Sequence, residues 1–136
     1  AGSILATRLM VRGAAGIVTD GGFRDSREIA ELDMPSYHQK PSALTNLTLH
    51  QALDINVPIG CGDVAVFPGD VLVGDDDGIM VIPNEIIDEV INECIQMTLF
   101  ETFILEQVSK GYSIIGLYPP TNPVTFTDFE KWKATH

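Results

Sequence analysis

The chain predicts an α/β fold, and three observations carry the prediction. A helix, a β-type run and a second helix follow one another within the first 32 residues. Short β segments separated by turn signals fill residues 57–82. One long helical pattern then starts at Asn84.

Ile4, Leu5, Leu9 and Met10 recur at helical spacing behind Gly2-Ser3, so Ser3 is expected as N-cap of a helix over residues 4–12 that stops near Gly13. Gly16 to Thr19 reads as a buried strand. Gly21 and Gly22 take positive φ at little cost, so a sharp turn is expected there, aiming Arg24 and Asp25 at one spot. Ser26 to Leu32 reads as a short helix with Ile29 and Leu32 inward, and Pro35 to His38 as a further strand. A polar loop follows through Lys40, Pro41, Ser42, Thr45 and Asn46.

Strands are expected at 57–60, 64–67, 71–73 and 79–82. Pro68-Gly69-Asp70 suits a type II turn. Asn84 is the expected cap of a helix running to about Lys110 and stopped by Gly111, with Ile87, Val90, Ile91, Cys94 and Ile95 on a face that serves as core or subunit interface. An apolar, irregular tail at 114–120 leads to a small helix at 127–134, where Thr127 and Glu130 are spaced as a capping box.

At 136 residues and 45% hydrophobic content, one domain is expected. Nineteen Asp and Glu against eight Lys and Arg give a formal charge of −11, which disfavours a nucleic-acid partner. Cys61 and Cys94 stand far apart, outside any CxxC or His/Cys pattern, and read as reduced core thiols. The most apolar helical stretch, 86–105, is interrupted by Asp88, Glu89, Glu93 and Glu101, so no membrane partner is expected and the reading is soluble and cytoplasmic.

Asp75-Asp76-Asp77-Gly78 invites a calcium loop, but counted from Asp75 the EF-hand pattern would put Met80 at its glycine and Ile86 at its glutamate. A charged tight turn is the better reading. His38 and His50 have no partner at ligand spacing, and GxGxxG, P-loop and GxSxG motifs are absent. What remains is Arg24-Asp25, with Glu28 three residues on, facing the helix start at Gly2 to Leu5. A carboxylate holds Mg²⁺ or Mn²⁺ partly through water, Arg grips a carboxylate or oxyanion in two-pronged fashion, and helix amides receive a second anionic group. Such a set suits reactions that build negative charge on a 2-keto acid.

Gly2-Ser3-Ile4-Leu5-Ala6-Thr7, Arg12-Gly13, the run from Gly16 to Asp25, Pro58 with Gly60-Cys61-Gly62, Val66-Phe67-Pro68-Gly69-Asp70, Asp75-Asp76-Asp77-Gly78 and Gly116-Leu117-Tyr118-Pro119-Pro120 together resemble the RraA-like family. That family includes 4-hydroxy-4-methyl-2-oxoglutarate aldolases, oxaloacetate decarboxylases and protein inhibitors of ribonuclease E. The resemblance implies a swivelling β/β/α domain, assembled as a homotrimer or a hexamer built as a dimer of trimers. This chain would be its C-terminal portion, a single domain over 1–136, with a separate N-terminal fragment as a further partner.

By position, the resemblance makes Arg24 and Asp25 catalytic, Asp25 the metal ligand, and Gly2, Ser3, Ile4, Leu5 and Arg24 the substrate contacts. Glu101 is the candidate for an acidic residue contributed by a neighbouring subunit. Aldolase members carry Asp where this chain has Ser3, with twenty residues between it and Arg24. The implied activity is a metal-dependent lyase that cleaves a C–C bond of a small 2-keto acid, by retro-aldol reaction or decarboxylation, through a pyruvate-type enolate. The alternative is a non-catalytic, protein-binding regulator of the ribonuclease E type.

Overall fold

A computed structural model describes residues 1–45 and 50–135. The chain divides into two units, Ala1–Val81 and Ile82–His136.

In the first unit, α1 (Ser3–Val11) leads to β1 (Ile17–Phe23), α2 (Ser26–Ala30) and β2 (Ser36–Pro41). The Gly13 N–H reaches the Met10 carbonyl and the Ala14 N–H the Leu9 carbonyl, closing α1 with paired capping bonds. β1 and β2 run parallel, pairing Ile17 with Ser36 and Thr19 with His38, and the α2 segment makes the crossover that a parallel pair requires. Ala6, Phe23, Ile29 and Met34 form the buried core under this unit, with Met10, Ile17 and Leu32 packed around it.

β1 departs from expectation. It is half-buried, not buried, with Val18 38% exposed. Nor does the chain turn at Gly21-Gly22: the strand continues through both, with an irregularity in register between Thr19 and Gly22, and neither glycine has positive φ. Space explains Gly22. A Cβ there would lie 2.5 Å from the Ser42 Cβ and 3.0 Å from the Lys40 carbonyl oxygen, because β2 and the chain beyond it press against the strand.

Two further ribbons follow. β3 (Ile59–Cys61) and β4 (Val64–Val66) form an antiparallel hairpin over Gly62 and Asp63, both at positive φ as a two-residue turn of type I′ requires. The Gly62 N–H points to Asp20 Oδ2 at 3.4 Å. β5 (Val71–Gly74) and β6 (Ile79–Ile82) pair across the acidic turn, where Asp75 Oδ1 accepts from the N–H groups of Asp77 and Gly78. The expected turn at Pro68-Gly69 is present, with the Asp70 N–H bonded to the Phe67 carbonyl at 3.0 Å. Val18, Tyr37, Val66, Leu72 and Ile79 line an apolar cavity of about 310 Å³ among the ribbons.

The second unit opens with a 3₁₀ turn, Asn84–Ile86, followed by α3 (Ile87–Ser109) and α4 (Pro123–Lys133). Asn84 is therefore not the cap of the long helix; it begins the 3₁₀ turn, and no side chain caps α3. Gly111 ends α3 at φ 92°, as expected. Its packing is displaced toward the C-terminal half: Phe103 and Ile104 are buried with Phe129, whereas Ile91, Cys94 and Ile95 are exposed. The reason is length, since the short α4 supplies aromatic cover only there, with Phe100 and Phe129 edge to face at 5.1 Å. Cys61 is half-buried and Cys94 exposed, so both thiols are free but neither is a core residue.

α4 starts earlier than the Thr127–Glu130 spacing suggests. Asn122 is its cap, accepting from the Val124 N–H at 3.0 Å, and Pro123 occupies the first position, where no N–H is needed. Thr127 and Glu130 lie within the helix.

Gly22→Ala is expected to destabilise the protein by about 1–3 kcal/mol, because backbone must move to admit the methyl group; urea unfolding followed by circular dichroism measures it. Asn122→Ala is expected to cost about 1 kcal/mol, read from the fluorescence of Trp132, the single tryptophan, which lies against Phe103 and Phe129.

Candidate functional site

Asp25 adopts the left-handed conformation, φ 59° and ψ 40°, at the start of α2. Asp tolerates this region better than most side chains, yet the conformation is uncommon outside glycine. Its carboxylate does not cap α2. It faces the first turn of α1, where Oδ2 accepts from the Ser3 N–H at 3.1 Å and from the Ser3 hydroxyl at 3.2 Å.

Ser3 is therefore not the N-cap of α1. The cap position is Gly2, which has no side chain to offer, and a carboxylate from a distant strand end satisfies the amide in its place. The first intrahelical bond runs from the Ala6 N–H to the Gly2 carbonyl, so the N–H groups of Ile4 and Leu5 have no intrahelical acceptor.

Gly2 lies close to both charged side chains. A Cβ on it would fall 2.9 Å from Arg24 Nη2 and 3.1 Å from Asp25 Oδ2. The Arg24 N–H binds the Ala1 carbonyl at 2.7 Å, and the Ala1 amino group donates to the Gly22 carbonyl at 3.1 Å, so the strand end and the helix start are stitched together by backbone. Arg24 Nε stands 3.6 Å from Asp25 Oδ1, and both side chains remain partly open to solvent. The Ser3 N–H above all holds the Asp25 carboxyl below its ordinary value; desolvation, the next largest influence, opposes it, and the Ser3 hydroxyl and the Arg24 guanidinium add to the lowering.

Arg24, Asp25, Gly2 and Ser3 are thus brought together, as the sequence reading expected. Leu5 borders a cavity of about 220 Å³ with Arg24 and Gly2, which neither Asp25 nor Ser3 lines, while Ile4 is 87% exposed. Leu44 and Thr45 border the same cavity; Thr45 belongs to the expected polar loop, but no motif pointed to Leu44. Asn46 of that loop lies outside the described residues. Elsewhere, the His38 ring stacks on Phe23 at 4.7 Å, a packing role. Glu101 belongs to the second unit, where it accepts from the Tyr118 hydroxyl at 3.0 Å. Among the described residues no group of three His, Cys, Asp or Glu side chains is placed to share a metal ion, and no helix is long and apolar enough to cross a membrane.

Residues 1–81 match the RraA-like family model, Aldolase/RraA, and the chain belongs to that family. It is 32% identical over 115 residues to an uncharacterised protein of Methanocaldococcus jannaschii, covering 83% of this chain and 54% of that protein. A protein of Halalkalibacterium halodurans, named as a candidate 4-hydroxy-4-methyl-2-oxoglutarate aldolase, is 42% identical over 71 residues, covering 52% of this chain and 33% of its own length. Among solved structures, Streptomyces coelicolor RraAS2, described as an unusual member of the RNase ES inhibitor RraA family, superposes with a TM-score of 0.65 at 29% identity, over 78% of this chain and 54% of that one. The mixed helix and strand architecture agrees with the α/β RraA fold. The chain spans about half, or less, of the length of the curated relatives it matches.

Because the folded-state value of Asp25 is lowered, its contribution to stability is complete above the ordinary Asp range, near pH 4 at roughly, and is lost as pH falls through the lowered value. Asp25→Asn is therefore expected to flatten the loss of stability between roughly pH 5 and pH 2, measured as urea midpoints across that range. An acid limb as steep as the parent's would show that the Ser3 contact does not hold the carboxylate ionised.

Proposed function

We propose that the protein is a divalent-metal-dependent lyase that cleaves a C–C bond in a small 2-keto acid, by retro-aldol reaction or decarboxylation, leaving a pyruvate-type enolate. The observation that carries this reading is an ionised carboxylate, a guanidinium and a helix N-terminus meeting at one partly open spot. The aldolase name of the Halalkalibacterium halodurans relative supports a lyase at the level of the family.

The donor set fits Mg²⁺ or Mn²⁺. Such ions keep several waters and use one or two carboxylates together with substrate oxygens. Both Ser3 donors fall on Asp25 Oδ2, and Oδ1, 3.6 Å from Arg24 Nε, is the oxygen that would take the cation, on the side away from the guanidinium. Asp25 would hold the cation, and when bound the cation supplies Lewis acidity that stabilises negative charge developing on the keto oxygen.

The chain's own residues do the rest. Arg24 grips a substrate carboxylate or oxyanion with paired N–H groups and, being permanently charged, does so at every working pH. The N–H groups of Ile4 and Leu5 offer donors to a second anionic oxygen. Ser3 keeps Asp25 ionised and fixes its direction. Gly2, without a side chain, leaves room for the Arg24 and Asp25 side chains at the helix end. The exposed apolar residues of α3, among them Ile91, Ile95 and Met97, suit the trimer or dimer of trimers expected from the resemblance.

A second reading has its own support. The net charge of −11 and the likeness to an RNase ES inhibitor family member fit a non-catalytic regulator that covers a basic face of a ribonuclease of that type.

With Mg²⁺ or Mn²⁺ present, pyruvate release from oxaloacetate or a 4-hydroxy-2-oxo acid, followed by NMR, is expected to stop on adding EDTA. Asp25→Asn should abolish it, and Arg24→Lys should raise KM by about tenfold or more, because Lys lacks the planar fork. Turnover undiminished in chelator would rule out the metal-dependent mechanism. Absence of turnover together with salt-sensitive capture of a ribonuclease E segment that survives Arg24→Ala would favour the regulator.

A further inference from the structure

Arg24 faces two ways. Its Nε stands 3.6 Å from Asp25 Oδ1 and its side chain is 42% exposed, so the guanidinium that balances the carboxylate is also open to an acid arriving from solvent. Oδ2 is already engaged by the Ser3 N–H and hydroxyl, at 3.1 and 3.2 Å. A divalent cation that comes alone therefore reaches an oxygen with a fixed positive charge beside it. Arg24 and Asp25 together are formally neutral, and the cation adds charge that nothing in the pair cancels.

We infer that Arg24 couples the two ligands of the site: a small carboxylic acid and the divalent cation each strengthen the binding of the other, because each relieves the charge that the other meets at the guanidinium. The inference rests on the proposed lyase reading for the cation at Asp25, and on the Arg24–Asp25 geometry for the coupling. An acid bound to the Arg24 fork brings a negative charge to it, which loosens its hold on Oδ1 and offsets its repulsion of the cation. A cation on Oδ1 draws on the same oxygen from the far side, weakens its hold on the fork and leaves the fork to the acid. Linkage makes the two effects one quantity: whatever factor the acid gives the cation, the cation gives the acid. Arg24 is then a coupler as well as a clamp, keeping the metal site weak until an acid is present. Ser3 has no such part, since it is neutral and its donors fall on Oδ2.

Mn²⁺ binding, followed by the electron paramagnetic resonance signal of the free ion with and without pyruvate, tests the coupling without requiring turnover; the relevant site is the component that Asp25→Asn removes. Pyruvate is expected to tighten Mn²⁺ binding by about tenfold, and calorimetry should show the same factor for pyruvate when Mn²⁺ is added. A keto acid also chelates the ion directly, so variants carry the assignment to Arg24. Without pyruvate, Arg24→Gln, with its circular dichroism unchanged, should bind Mn²⁺ about threefold or more tightly than the parent, whereas Arg24→Lys, which keeps the charge, should not. Arg24→Gln should also lose most of the pyruvate effect. In the parent alone, a pyruvate effect below about twofold would overturn the inference. So would Mn²⁺ binding that Asp25→Asn leaves unchanged, an Mn²⁺ affinity in Arg24→Gln no higher than the parent's, or an undiminished pyruvate effect in that variant. Loss of the coupling alone, with pyruvate release still dependent on Asp25 and stopped by chelator, would leave the lyase reading standing. Coupling in a protein that cleaves neither oxaloacetate nor a 4-hydroxy-2-oxo acid would do the opposite.

Discussion

The Asp25 carboxylate set against the amide and hydroxyl of Ser3 is the contact on which the candidate site depends. It joins a residue in left-handed conformation at the end of β1 to the first turn of a helix that has only a glycine at its cap. Each side solves a problem for the other. The helix gains an anion at its positive end, and the carboxylate gains two donors that keep it ionised. An Asp in the left-handed region is tolerated when the surrounding structure holds it there, and here the holding groups include the backbone bond from Arg24 to Ala1 and the Ile29 N–H bonded to the Asp25 carbonyl.

The core explains why this contact can be held in one geometry. Phe23, next to Arg24, and Ala6, on the turn of α1 after Ser3, are both buried in the same cluster with Ile29 and Met34. Helix start, strand end and α2 are therefore fixed to one another by packing before any charge interaction is counted. Ala6 is completely buried, so α1 comes close to its neighbours at that point, and the bare Gly2 lets the approach continue to the site. A larger residue at Ala6 would press on the core under α1, and a side chain at Gly2 would meet the guanidinium and the carboxylate themselves.

The remainder of the first unit is arranged differently. Among the described residues the unit's three ribbons, β1–β2 included, pair only two strands each, and Val18, Ile59, Val64, Leu72 and Met80 retain much exposed surface. The second unit is held by an aromatic cluster of Phe100, Phe103, Phe129 and Trp132, with the Trp132 indole donating to Glu106 at 3.2 Å. The family match, over 1–81, coincides with the unit that contains Asp25 and the ribbons. The candidate residues Gly2, Ser3, Arg24 and Asp25 thus lie in the matched part of the chain, and the long helix, with Glu101, lies outside it.

Much of this was legible from local pattern. Helical spacing announced α1, α2 and α3, and Pro68-Gly69 and Asp75 to Gly78 announced their turns. These features depend on neighbours in sequence or on single-residue stereochemistry, which is why a sequence displays them. What sequence could not display was which partner wins when two are available. Ser3 is a good N-cap by type, but the Asp25 carboxylate takes its amide, and Ser3 becomes the first helical residue instead. Gly21-Gly22 is a good turn by type, but pairing with β2 keeps the strand running, and Gly22 serves to avoid the Ser42 side chain and the Lys40 carbonyl. Leu44 reaches the cavity beside Arg24 without any spacing to announce it. Tertiary packing made each of these choices, because it sets which groups lose water and which acceptor lies within hydrogen-bonding reach once they have.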